Sequence, residues 1–218
     1  MKKKLRTQRQ LARRLGIWVV ILALVTVWTG LFSPHPYLSI RQYETSLSCG
    51  KTEIIRKERL DGNMHYLSAN QNTLLLNVVG FRPLGGWVGE GYAALDLTEE
   101  EDLSVDVLRT SVDEFLTVHY FGTAPRDAAS VLVRFPWMDE AEPFEISTFR
   151  GEDGRAYFWD WQKVPFYGPE DYNKDYYSEP LVVEALDGDG QVIATCNQPR
   201  YYDVLPLLNP SERRNPWT

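Results

Sequence analysis

Hydrophobic and polar positions divide the chain into stretches of different character. Residues 16–32, Gly-Ile-Trp-Val-Val-Ile-Leu-Ala-Leu-Val-Thr-Val-Trp-Thr-Gly-Leu-Phe, carry no charge on any side of a helix. At about 1.5 Å per residue the run spans about 26 Å, the short end of what a bilayer core requires. A helix suits that setting because it satisfies its own backbone hydrogen bonds where no water is available. Ser33-Pro34-His35-Pro36 then ends it, since proline lacks the N–H and disfavours helical geometry in the residue before it. Residues 36–48 place Leu38, Ile40, Tyr43 and Leu47 on roughly one face. With proline at the first position, that spacing predicts a short helix.

Beyond this point the pattern becomes short apolar runs between turn-forming residues. Residues 52–60 and 64–69 read as strands flanking Asp61-Gly62-Asn63, the composition of a tight hairpin. Asn70-Gln71-Asn72 marks a second turn, and 73–81, with its Leu-Leu-Leu-Asn-Val-Val centre, reads as a buried strand. Pro83-Leu84-Gly85-Gly86 interrupts the chain before 87–97 resumes in extended style.

Residues 98–120 carry two patterns at once. Thr98 with Glu101 forms a capping box, and Val105, Leu108, Val112, Phe115 and Leu116 recur at helical spacing. Leu103, Val105 and Val107, and later Leu116, Val118 and Tyr120, alternate like strands. The expectation is an irregular or helical stretch followed by a strand over about 115–121. Residues 122–127 then read as a boundary. Five strand-like segments follow: 130–135, 143–149, 155–163, 181–186 and 191–196. Gly151-Glu152-Asp153-Gly154 joins the second to the third, and Asp187-Gly188-Asp189-Gly190 joins the last two as a hairpin.

The expected fold is therefore mainly β with a minor α component: an N-terminal transmembrane helix, then a β-rich ectodomain. Its C-terminal half is expected to be an immunoglobulin-like sandwich, although five strands fall short of seven and the Cys…Trp…Cys pattern is absent. The expected divisions are 1–15 as a cytoplasmic basic segment, 16–32 as the anchor, 33–121 and 122–200 as two subdomains, and 201–218 as a tail.

Charge sharpens the topology. Lys2, Lys3, Lys4, Arg6, Arg9, Arg13 and Arg14 precede the apolar run with no acid among them. They are expected to stay in the cytoplasm, which makes this a single-pass cell-membrane protein with its C-terminal domain extracytoplasmic. A cleaved signal peptide is the competing reading; its apolar region would be shorter and followed by small residues, unlike Trp28-Thr29-Gly30-Leu31-Phe32. The rest of the chain keeps 16 of the 23 basic residues against all 30 acids, a net charge of −14. Such a surface is a poor partner for nucleic acid or anionic lipid. The order of basic head, short anchor, small helix and acidic β-rich domain ending in Ala-Leu-Asp-Gly-Asp-Gly-Gln-Val-Ile-Ala resembles uncharacterised single-pass envelope proteins of bacteria. That resemblance carries no catalytic residue with it.

Candidate chemistry is sparse. No dinucleotide fingerprint, P-loop, G-x-S-x-G or H-E-x-x-H occurs, and no cofactor is expected. Asp187-Gly-Asp-Gly190 fails as a calcium loop, because the sixth residue is Val192 and the twelfth Gln198. The most distinctive segment is Tyr157-Phe158-Trp159-Asp160-Trp161. On a strand, Tyr157, Trp159 and Trp161 share one face, which serves either as a platform for a glycan or peptide or, more commonly, as core. Tyr167, Tyr172, Tyr176 and Tyr177 follow in an acidic loop and are added as candidate binding residues. Glu170, Asp171, Asp175 and Glu179 in the same loop are weak candidates for Ca²⁺, with surface solvation the ordinary alternative. Cys49 and Cys196 lie at opposite ends of the ectodomain and form a candidate disulfide, with two free thiols as the alternative. The leading functional expectation is a non-catalytic, anchored binding module of the envelope with a protein or glycan partner. The alternatives are a hydrolase using His65 or His119 with acidic partners, and a structural or assembly subunit.

Overall fold

The computed structural model describes residues 2–28, 33–83, 85–98, 102–112, 115–134, 143–165 and 181–196. Two helices come first, α1 (Lys2–Trp28) and α2 (Pro36–Leu47). Four strands then form one antiparallel sheet in sequence order: β1 (Glu53–Leu60), β2 (Asn63–Ala69), β3 (Thr73–Arg82) and β4 (Gly86–Asp96). Seven more follow: β5 (Ser104–Val112), β6 (Phe115–Ala124), β7 (Ser130–Arg134), β8 (Phe144–Arg150), β9 (Ala156–Pro165), β10 (Val182–Leu186) and β11 (Val192–Cys196). They make a second antiparallel sheet in the order β11-β10-β7-β8-β9-β6-β5. The mainly β expectation is met, with two antiparallel sheets and few helices.

Local chemistry explains the turns. Asp61 and Gly62 both have positive φ, 50° and 82°, which gives the two-residue hairpin its twist-matched geometry. Helix α2 starts at Pro36, with the His35 imidazole accepting a hydrogen bond from the Tyr37 N–H at 3.3 Å. In the last hairpin the Asp187 carboxylate accepts from the N–H groups of Asp189 and Gln191, both at 2.9 Å, so it serves the turn itself.

Residues 104–112 correct the expected helix. They pair along their whole length with β6, and alternation of Val105 and Val107 with Asp106 and Leu108 prevails over helical spacing. The reason is tertiary: Val105 and Val107 enter one apolar cluster while Leu108 enters another on the opposite face, so both faces of this strand are buried. The expected subdomain boundary at 121/122 falls inside β6, whose pairing with β9 runs unbroken from Phe115 to Ala124. The change of sheet comes earlier, between β4 and β5.

The sheets stack through a core of Leu67, Leu74, Leu76 and Val78 from the first and Phe121, Tyr157 and Trp159 from the second. Contacts at both ends align them. Lys163 of β9 pairs with Asp61 at 2.7 Å at one end, and the Arg155 guanidinium donates to the Gln71 carbonyl at the other. The far face of the second sheet carries another cluster, including Val105, Tyr120, Val131, Phe158 and Val183. Strand β8 divides its pairing there: Phe144 to Ser147 face β7, while Thr148 to Arg150 face β9.

Helix α2 covers the outer face of the first sheet. Ile40 packs with Tyr66 and Val79, and Glu44, only 4% exposed, accepts from the Thr52 N–H at 2.7 Å and the Thr52 hydroxyl at 2.5 Å. Arg41 pairs with the same carboxylate. Before α2, Ser33 bridges Gly86 in parallel, with Ser33 N–H donating to Gly85 O at 3.0 Å and Trp87 N–H to Ser33 O at 2.8 Å. Gly86 has φ of 70°, and a Cβ there would lie 2.2 Å from the Ser33 oxygen, so only glycine admits this crossing.

Among the described residues no helix is long and apolar enough to cross a membrane. The uncharged part of α1 within them, residues 16–28, is about 20 Å long at the helical rise. The remaining positions of the expected span, 29–32, lie outside the described residues.

Glu44→Ala is expected to destabilise the fold by about 2–4 kcal/mol, because it leaves Thr52 and Arg41 without their buried acceptor. Urea denaturation of both proteins measures this; a loss below about 0.5 kcal/mol would show that the network under α2 contributes little.

Candidate functional site

The inter-sheet face gathers several of the residues that stand out in the sequence. Tyr157, Trp159 and Trp161 lie on one face of β9, which is the face turned to the first sheet. Tyr157 and Trp159 are 1% and 2% exposed, so neither belongs to an open platform; only Trp161 of the row is half-buried. Tyr157 and Trp159 thus take the core alternative and not that of the platform. Tyr167, Tyr172, Tyr176 and Tyr177, with Glu170, Asp171, Asp175 and Glu179, lie outside the described residues. Among the described residues no group of three or more histidine, cysteine or acidic side chains is placed to hold a metal.

Register brings His65 and His119 together, from β2 and β6. Their ring centroids are 4.8 Å apart, and both are within 6.5 Å of the Trp159 ring. The Trp159 indole donates to His119 Nδ1 at 3.4 Å, which places the proton of the neutral ring on Nε2. His119 Nε2 and His65 Nδ1 are buried without a hydrogen-bond partner. Burial lowers His65 to about 4, against the opposing pull of Asp61 and Glu58. Burial and the neighbouring His65 lower His119 to about 3. Both rings are therefore neutral at ordinary pH.

The hydrolase alternative needs one of these imidazoles beside an available carboxylate in an open cleft. Glu58 faces His65 across the β1–β2 ladder but is paired with Arg56, and Asp61 is paired with Lys163. Arg56 closes the rim: it donates to the Trp159 carbonyl at 3.2 Å and stacks over the rings of Phe149 and Trp159 at 5.2 and 5.5 Å. Buried, neutral and covered in this way, the histidines act as core.

Open concave surface lies at the end of the sandwich where Arg155 meets Gln71. The β8–β9 turn, residues 151–155, separates two clefts of about 610 and 360 Å³. Lys51, Gln71, Arg150 and Glu152 line the larger; Asp102, Thr123 and Arg126 line the smaller; Asp153 and Arg155 line both. Neither cleft contains a histidine. The turn is held from below by Tyr157, whose hydroxyl donates to Asp153 at 2.6 Å; burial and that acceptor raise its pKa. Arg150 donates to the Arg126 carbonyl, tying the β6–β7 connection to the same wall. Tyr157 thus ties the turn, through its hydroxyl, to the core that holds its ring.

The cleft residues carry no recognisable motif. Their one signal is charge density in a turn, with Arg150, Glu152, Asp153 and Arg155 within six positions, in a segment that reads as a plain connector. Cys49 and Cys196 are both thiols, the alternative to the candidate disulfide. Cys49 follows the end of α2 beside the first sheet, while Cys196 ends edge strand β11 of the second. The chain matches no protein-family model, no curated protein and no solved structure.

The histidine pair makes stability depend on pH. Their folded pKa values lie below the unfolded value of about 6.5, so above that pH neither state is charged and stability is complete. As pH falls from 6.5 towards 4 the unfolded chain binds protons that the folded chain refuses. Stability is expected to fall by up to about 2.7 kcal/mol per pH unit for the two together, half of that for one. Urea titrations between pH 7 and 5 measure the slope, and His119→Phe should reduce it; a flat profile in the unsubstituted protein would contradict the burial of both rings.

Proposed function

We propose that the chain is a membrane-anchored, extracytoplasmic binding module that presents its partner site at the end of the domain farthest from the anchor. The observation that carries this reading is the polarity of the fold. Ser33, where α1 leads into the domain, crosses Gly86 at the end of the sandwich that also holds Asp61 and Lys163. The two clefts lie at the opposite end. The anchor is supported by the uncharged run 16–32 behind seven cationic residues, and by the exposure of apolar side chains along α1. From Leu15 to Val25 its large apolar side chains are between 41% and 69% exposed. A helix that is apolar all round is stable only against lipid or other apolar helices.

The cleft chemistry supports a polar protein or peptide partner over a glycan. Its walls alternate Lys51, Arg126, Arg150 and Arg155 with Asp102, Glu152 and Asp153, and among the described residues they offer no exposed ring on which a sugar would stack. The hydrolase alternative loses support because His65 and His119 are buried and line neither cleft. An immunoglobulin-like arrangement of the C-terminal strands is part of the same proposal. It is supported by the divided pairing of β8 and by the cluster shared among β5, β6, β7, β9 and β10.

Photo-crosslinking amino acids placed singly at Gln71 and Glu152, in the full chain in its native membrane, are expected to give a discrete adduct. One at Lys57, exposed on β1 between the two ends, should not. Equal adducts from all three positions, or none from Gln71 and Glu152, would remove the site from the clefts.

A further inference from the structure

We propose that the anchor-side end of the domain is itself a lipid-contacting surface, seated in the interfacial layer of the bilayer that receives α1. This rests on the anchor reading above and adds to it a second, independent membrane contact.

The end of the first sheet around the Ser33–Gly86 crossing is unusually apolar for a solvent-facing edge. Phe81 is 56% exposed and packs edge-on against half-buried Trp87 at 5.6 Å. Val88 is 39% exposed on the next position of β4. The first turn of α2 adds Tyr37 and Leu38, 41% and 40% exposed. That turn is fixed beside the strand end: the Ser39 hydroxyl donates to the Trp87 carbonyl at 2.5 Å and shares a 3.5 Å contact with the Ser33 hydroxyl. Five large side chains from three elements therefore lie at one end of the sandwich, with Val88 on the opposite face of β4 from Trp87.

Continuity with α1 identifies the occupant. Trp28, the last residue of α1, is five positions before Ser33, a reach of at most about 18 Å. The C-terminal end of α1 therefore lies within that distance of the Ser33–Gly86 crossing, so the medium that receives this end of α1 is close to the patch. Trp and Tyr among the five are side chains suited to the headgroup level, where an apolar ring and a polar edge are both satisfied. The domain is strongly acidic, so the attraction is apolar, and an uncharged, zwitterionic lipid surface fits it better than an anionic one. The local cation Arg82 is engaged by Glu90 at 2.7 Å.

The test uses the full chain in phosphatidylcholine nanodiscs containing lipids spin-labelled near the headgroup. Cys49 and Cys196 are replaced by serine, and single fluorophores are attached after Phe81→Cys, Val88→Cys or Val192→Cys. Val192 is 50% exposed on β11, at the opposite end of its sheet. Quenching at positions 81 and 88 is expected to exceed that at 192 at least threefold. The unsubstituted chain provides a check free of mutation: hydroxyl-radical oxidation of Phe81 in the nanodisc should be several-fold slower than that of Tyr92, which is 43% exposed in mid-strand. A chain that stays in the nanodisc while positions 81, 88 and 192 quench alike overturns the proposal and leaves the anchor reading standing. A chain that does not partition into nanodiscs overturns both.

Discussion

Trp159 is the residue around which the two sheets are aligned. Its ring fills the gap between β2 and β6, its indole N–H holds His119, and its carbonyl receives Arg56 from the first sheet. Burying a side chain of this size contributes several kcal/mol, and its loss leaves a cavity that neither sheet can close. More important for function is the geometry it imposes. With the sheets locked face to face, Asp61 must meet Lys163 at one end and Gln71 must meet Arg155 at the other.

The two ends then acquire opposite character. At one, the crossing of Ser33 over Gly86 pins the chain that follows α1, and Phe81, Trp87 and Tyr37 lie around it. At the other, four loops bring together charged side chains of both signs, and the β8–β9 turn stands between two clefts with Tyr157 bracing it from the core. The same packing neutralises the two histidines. An imidazole charged at this position would have to compete with Arg56 and Lys163 for Glu58 and Asp61, with no solvent to share the cost.

The sequence conveys the elements far better than their assembly. Short-range chemistry is enough to place Asp61-Gly62, the Pro36 helix start and the Asp187 turn, because each is decided by residues within a few positions. The 98–120 segment is misread because its helical and strand periodicities coexist, and only the second sheet, burying both of its faces, decides between them. The aromatic row of β9 is assigned to the right face, yet whether that face meets solvent depends on a sheet formed a hundred residues earlier. His65 and His119 stand out singly; their meeting depends on inter-sheet register, which no local pattern encodes. The cleft residues stayed hidden because charged turns are common and only their convergence, through Arg155 and Gln71, makes a concave surface.

The claim on which the rest depends is that this inter-sheet core buries both imidazoles and holds them neutral against Trp159. Nitrogen-15 NMR of the histidine side chains at pH 5.5 tests it directly. The account predicts that His65 and His119 both remain neutral, with His119 carrying its proton on Nε2. Two charged imidazoles at that pH would place them in water and contradict the alignment of the sheets.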